Sequence, residues 1–143
     1  MKKLVLLGVI FSLSGCGGGG EAAADITEMS VVPKEYVGKC ASGQVAISFE
    51  VVHTINGGRQ PFRVRSNSPT VQIGYTNPTT KAFELPPPSA FNASGDLILT
   101  GKDPQFSVRY SGLGCGLKSE GSVTVLDDFS RVASPTYTAE EAS

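Results

Sequence analysis

Few side chains in this sequence could do chemistry, and they do not assemble into a reaction centre. His53 is the one histidine. An imidazole is the usual general base near neutral pH, but His53 ends the alternating run Val45–Val51. That position suits a ring that serves structure or solvent. No serine sits in a G-x-S-x-G elbow. Gly17–Gly20 lacks the preceding strand and following lysine of a phosphate loop. Asp127 and Asp128 are adjacent, so in a strand they point to opposite faces and cannot act as a pair. Three cysteines remain, Cys16, Cys40 and Cys115, and their chemistry depends on the compartment. No catalytic residue, metal site or cofactor is expected.

The elements that would position these groups are short strands. The chain has 17 glycines, 9 prolines and no tryptophan, and no long helical pattern, a composition that favours a turn-rich β protein. Ile26–Val32 reads as a first strand stopped by Pro33. In Val45–Val51, Val45, Ile47, Phe49 and Val51 share one face, while Ala46, Ser48 and Glu50 share the other, the period of two of a half-buried strand. Asn56-Gly57 and Pro61 mark a turn, and Phe62–Arg65 alternates again with Arg63 and Arg65 on one face. Val71, Ile73 and Tyr75 form the next stripe. Ala82–Leu85 is stopped by Pro86-Pro87-Pro88, which cannot donate to a ladder. Strand patterns return around Leu97 and Leu99, at Phe106, Val108 and Tyr110, and at Val123 and Val125. Gly112–Gly121 reads as a hairpin loop. Residues 129–143 are polar, without an apolar period, and read as a disordered tail. The expected fold is all-β, a single antiparallel β-sandwich of about seven or eight strands over residues 26–128, because each half-apolar sheet must bury one face against another.

The N-terminus has a separate logic. Lys2 and Lys3 precede an apolar stretch, Leu4–Leu13, broken only by Gly8 and Ser12. A charged start, a short apolar run and a small-residue exit describe a secretory signal peptide. The run is well short of the roughly 20 apolar residues that span a bilayer. Its exit, Leu13-Ser14-Gly15-Cys16, resembles the lipobox of bacterial lipoproteins. The resemblance implies a signal peptide at 1–15, cleavage before Cys16 and lipid on its thiol. Several acyl chains make such an anchor permanent where one alone is marginal. Gly17, where the family's inner-membrane retention signal is Asp, implies the outer membrane, on its periplasmic or surface face. Residues 16–25 form the lipidated cysteine and a Gly-rich tether; as a random coil, nine residues span about 16 Å. The domain is therefore expected near the membrane surface.

Cleavage removes Lys2 and Lys3 and takes the formal net charge from −1 to −3. A mildly acidic chain argues against nucleic acid as a partner, which calls for a basic excess. With Cys16 committed to lipid, Cys40 and Cys115 remain in an oxidising compartment. An even remainder of two suggests one bridge, worth about 4 kcal/mol for the loop it closes. Free thiols or a metal pair are the alternatives, although two sulfurs without a nearby histidine make a poor zinc site.

The middle segment, Gly57-Gly58-Arg-Gln-Pro61-Phe62-Arg-Val64-Arg-Ser66-Asn67-Ser-Pro69, resembles a recurrent segment of bacterial immunoglobulin-like domains, and Gly121–Asp127 looks like their closing strand. The resemblance implies an immunoglobulin-like sandwich. It also implies that the strands carrying Arg63, Arg65 and Arg109 are neighbours in one sheet. The three arginines, with Arg59 in the adjoining turn, would then form an anion-binding patch, since guanidinium pairs bidentately with phosphate and carboxylate. The sequence departs from antibody-type domains in lacking a core tryptophan and mid-strand cysteines. In the usual topology, Cys40 before its strand and Cys115 in its loop fall at opposite ends, in tension with a bridge. The function expected is a non-enzymatic binding or structural role in the cell envelope, with the membrane as anchor and an envelope protein or anionic polymer as partner. The alternative is an accessory enzyme or carbohydrate-binding module acting on envelope material.

Overall fold

The computed structural model describes residues 27–143. The signal peptide, Cys16 and the tether fall outside the described residues. In chain order the strands are β1 (Ser30–Val32), β2 (Glu35–Lys39), β3 (Ala46–Asn56), β4 (Phe62–Ser66), β5 (Val71–Thr76), β6 (Phe83–Glu84), β7 (Leu97–Leu99), β8 (Gln105–Gly114), β9 (Lys118–Ser119), β10 (Val123–Leu126), β11 (Val132–Ala133) and β12 (Thr136–Glu140). Three sheets result, ordered β1-β3-β8-β5-β6, β11-β10-β4-β7 and β2-β12-β9.

The first two sheets are the layers of the sandwich. Val51, His53 and Ile55 of β3, Val71 and Ile73 of β5, and Phe106 and Val108 of β8 bury one face. Phe62 and Val64 of β4, Leu97 and Leu99 of β7, and Val123 and Val125 of β10 bury the other. Alternation along each strand puts every second side chain into the shared core. With no tryptophan in the chain, the bulkiest fully buried side chains are Tyr137, Phe62 and Phe106.

The third sheet overturns the reading of the tail. Residues 129–143 contain β11 and β12, so they do not form a disordered segment. β12 runs parallel to β2, with Tyr137 opposite Tyr36, and antiparallel to β9. Tyr137 and Ala139 are fully buried. Only two apolar residues drive this strand inward, too few to register as a pattern, and its partner β2 is some hundred residues distant in sequence. The sandwich therefore continues past Asp128, and Val123–Leu126 is not the closing strand. The strands outnumber the seven or eight expected because three of them have two residues each and β2 and β12 form an added sheet.

The tension over the cysteines is also resolved. β3 pairs antiparallel with β8, and Ala46 faces Gly114. The start of one strand therefore lies beside the end of the other. Cys40 and Cys115 meet at the same end of the sandwich and form a disulfide with their Cα atoms 6.2 Å apart.

Candidate interaction surfaces

The arginines expected to form one patch are separated. Arg63 and Arg65 lie on β4 in the second sheet, and Arg109 lies on β8 in the first. Inward-facing neighbours on both strands turn these side chains to the outer faces, which in a sandwich lie on opposite sides. Each guanidinium also has a partner within the domain. Arg65 grips the buried Asp96 bidentately at 2.7 and 2.9 Å. Its hydrogen bond holds the Asp96 carboxyl below the usual carboxylate range, against the opposing effect of burial. Arg63 donates to the Asp127 carbonyl at 3.2 Å and to Ser130. Arg109 meets Glu50 at 2.8 Å and stacks over Phe83, 4.3 Å from the ring centroid. The resemblance had implied one sheet; the topology places β4 and β8 in two.

His53 is fully buried within β3, and not at a strand end open to solvent. Its Nε2 lies 2.8 Å from the Tyr137 hydroxyl, and its ring stacks on Phe106 at 5.0 Å. Burial lowers its pKa to about 4. The ring is a neutral core group that ties β12 to β3. Asp127, also buried, accepts from the backbone N–H groups of Arg59, Phe129 and Arg131 and from the Arg131 side chain. Burial alone would raise its pKa, but these donors leave it below the usual range. Among the described residues no group of three or more His, Cys, Asp or Glu side chains comes together as a metal site would require.

What the surface does offer lies at the two ends. At the disulfide end, the β3–β8 register slips between Ile47 and Phe49. Two steps on β3 there match three on β8, so β8 holds the extra residue. Gly112, at a φ of 73°, supplies the left-handed turn such a bulge needs, and its N–H donates to Ser48 Oγ at 3.1 Å. The bulge opens a shallow depression of about 390 Å³ lined by Ser48, Phe49, Glu50, Arg109 and Ser111. Two apolar side chains stand exposed at the same end of the sandwich. Val45 is 85 % exposed and Leu117 is 60 % exposed. Val45 had been expected to share the buried face of Ile47 and Phe49, but β3 begins after it. Leu117 packs over Gly114, with its Cδ1 only 2.9 Å from where a side chain at position 114 would begin. The Cys115 N–H donates to the Val45 carbonyl, and the disulfide closes the loop behind both.

Sequence reasoning missed Ser48, Glu50, Ser111, Val45 and Leu117 as a group. A signal was present. Ser111-Gly112 interrupts the strand that follows Tyr110, and a glycine inside a strand pattern marks a bulge.

At the opposite end lie the β3–β4 turn, the β7–β8 loop and the β10–β11 loop. There Phe129, 45 % exposed, lies with Arg59 at 5.0 Å and Arg131 at 5.3 Å from its ring centroid. Phe129 falls in the stretch expected to be disordered, and its loop is shaped by Asp127.

The architecture is an all-β immunoglobulin-like sandwich: first, third, eighth and fifth strands in one sheet, fourth and tenth in the other, as in the ABED and CF pairings of that fold. No family model matches the chain, and no curated protein matches it. A solved structure similar to it is the BIgI domain of beta protein from S. agalactiae bound to CEACAM1, at 12 % identity and a TM-score of 0.40, over 82 % of this chain and 99 % of that one.

Proposed function

We propose that this protein is a lipid-anchored component of a bacterial cell envelope, seated in the outer membrane, whose sandwich binds a partner protein at its disulfide end without catalysis. The anchor reading rests on Leu13-Ser14-Gly15-Cys16 behind a basic, apolar leader. The binding reading is carried by one observation: Val45 and Leu117 stand exposed on loops closed by a disulfide, at the end of the sandwich that also carries a depression presenting Glu50, Arg109, Ser48 and Ser111. Apolar groups held rigidly in water and ringed by polar ones are what a protein interface uses, because little conformational freedom is lost on docking. The lone imidazole is sealed in the core, which leaves no histidine for surface chemistry.

Two measurements test this. Palmitate labelling of the wild type and of Cys16→Ser in cells, followed by membrane fractionation, should show label and outer-membrane sedimentation only for the wild type. A photo-crosslinking residue placed at Val45 should give a discrete protein adduct in intact cells, and one at Ile98, opposite Arg63 on the outer face of the other sheet, should not. Equal adducts at both positions would count against the disulfide end as the binding site.

A further inference from the structure

The chain enters the described domain at the end opposite the disulfide. The Thr27 carbonyl accepts a hydrogen bond from the Gly58 N–H at 3.0 Å, beside the β3–β4 turn. β1 confirms the placement, since Ser30 pairs with Asn56, the last residue of β3. The same end carries the loop with Phe129, the turn with Arg59 and, through the Gln60–Gly101 hydrogen bonds, the loop with Lys102. Exposed Val132, at 62 %, begins β11 beside them.

Ten residues separate Cys16 from Thr27. Even drawn straight, the eleven steps from Cys16 to Thr27 reach no more than about 40 Å. The long axis of the sandwich, set by the 11 residues of β3, is about 34 Å. A lipid on Cys16 therefore keeps this end close to the bilayer, and the disulfide end reaches it only if the linking segment is stretched along the whole domain.

The chemistry of this end suits that place. Phe129 is exposed yet fixed, because the buried Asp127 carboxylate holds its backbone N–H and orders the loop. An aromatic ring flanked by guanidinium groups matches the zone where apolar tails meet phosphates. Asp103 and Asp128 lie among the cations, with Asp128 3.7 Å from Arg59, so contact is with individual lipid phosphates and not through a broad positive field. We infer that this end is the membrane-facing face of the domain, with Phe129 at headgroup level and Arg59 and Lys102 on lipid phosphates. The inference rests on the lipid anchor proposed above.

The absence of tryptophan from the sequence makes the test direct. Phe129→Trp and Val45→Trp each introduce a single fluorophore, one at each end. The mature proteins are purified, checked by mass for acyl chains, and reconstituted into phosphatidylethanolamine–phosphatidylglycerol vesicles containing lipids brominated high on the acyl chain. Phe129→Trp should lose most of its emission to bromine quenching, and Val45→Trp should lose almost none. Adding Arg59→Gln to Phe129→Trp should restore part of the emission. Should Phe129→Trp fold poorly, Val132→Trp reports on the same end. Acylated protein quenched equally at both ends, or more at Val45→Trp, overturns the orientation alone. A mature protein without acyl mass overturns the anchor and this inference together.

Discussion

The two ends of the sandwich solve the same problem in different ways. Each must hold several loops still over a small core. At the disulfide end a covalent bond between Cys40 and Cys115 does so, alongside backbone hydrogen bonds from Cys115 to Val45, from Cys40 to Glu140 and from Ala139 to Leu117. At the other end no covalent link is used. A buried carboxylate, Asp127, gathers three backbone N–H groups and one guanidinium, and Gln60 grips the neighbouring loop through Gly101. The first device constrains the unfolded chain. The second acts only in the folded state and depends on charge. The two ends should therefore respond differently to reduction, to pH and to mutation.

The largest effect is expected from the covalent device. Replacing Cys40 and Cys115 with Ala should lower stability by about 4 kcal/mol, read from denaturant unfolding with a steeper slope, because the unbridged chain unfolds to a more expanded state. Hydrogen exchange should accelerate first around Val45 and Leu117, while amides of 127–131 keep their relative protection. Uniform acceleration would mean that the two ends unfold as one unit.

Next is the core group that joins the terminal strand to β3. The folded protein keeps His53 neutral with a pKa of about 4, whereas the unfolded chain binds its proton at 6.5. Between those values the unfolded state holds more protons. Stability is thus complete above pH 6.5 and falls as pH drops towards 4, by about 3 kcal/mol over that window. A His53→Gln variant should show a flatter profile between pH 6.5 and 4. An identical slope in that variant would assign the pH dependence to other groups.

Asp127→Asn comes third. It keeps the shape but removes the charge that organises the open end, at a cost of about 2 kcal/mol. The disulfide-end amides should be unaffected. The smallest effect is expected at the depression itself. Arg109→Gln breaks an exposed ion pair with Glu50 and should change stability by less than about 1 kcal/mol. Any loss of partner crosslinking from Val45 in that variant then reports on binding and not on folding.

Part of this was legible in the residues. The alternation in Val45–Val51, Phe62–Arg65 and Phe106–Tyr110 announced β3, β4 and β8, because a half-buried strand must repeat every second residue. The Asn56-Gly57 pair and Pro61 announced the turn between β3 and β4 for an equally local reason. What failed was non-local. Tyr137 reads as one aromatic in a polar stretch; only the approach of β2, His53 and Phe49 makes it a core residue. Arg63, Arg65 and Arg109 were each correctly read as outward-facing, yet which sheet a strand joins depends on the crossover between β4 and β5, and no residue type records that choice.

The sequence by itself determined that the described domain is built of β strands, where most of its turns fall and which cysteines were available to pair, since these follow from periodicity, turn chemistry and composition. The tertiary structure alone decided that Cys40 and Cys115 share an end, that the arginines part company, that the last strand closes the fold, and that Phe129 and Val45 stand at opposite poles. These outcomes depend on antiparallel register and sheet order, which arise from contacts between residues far apart in the chain.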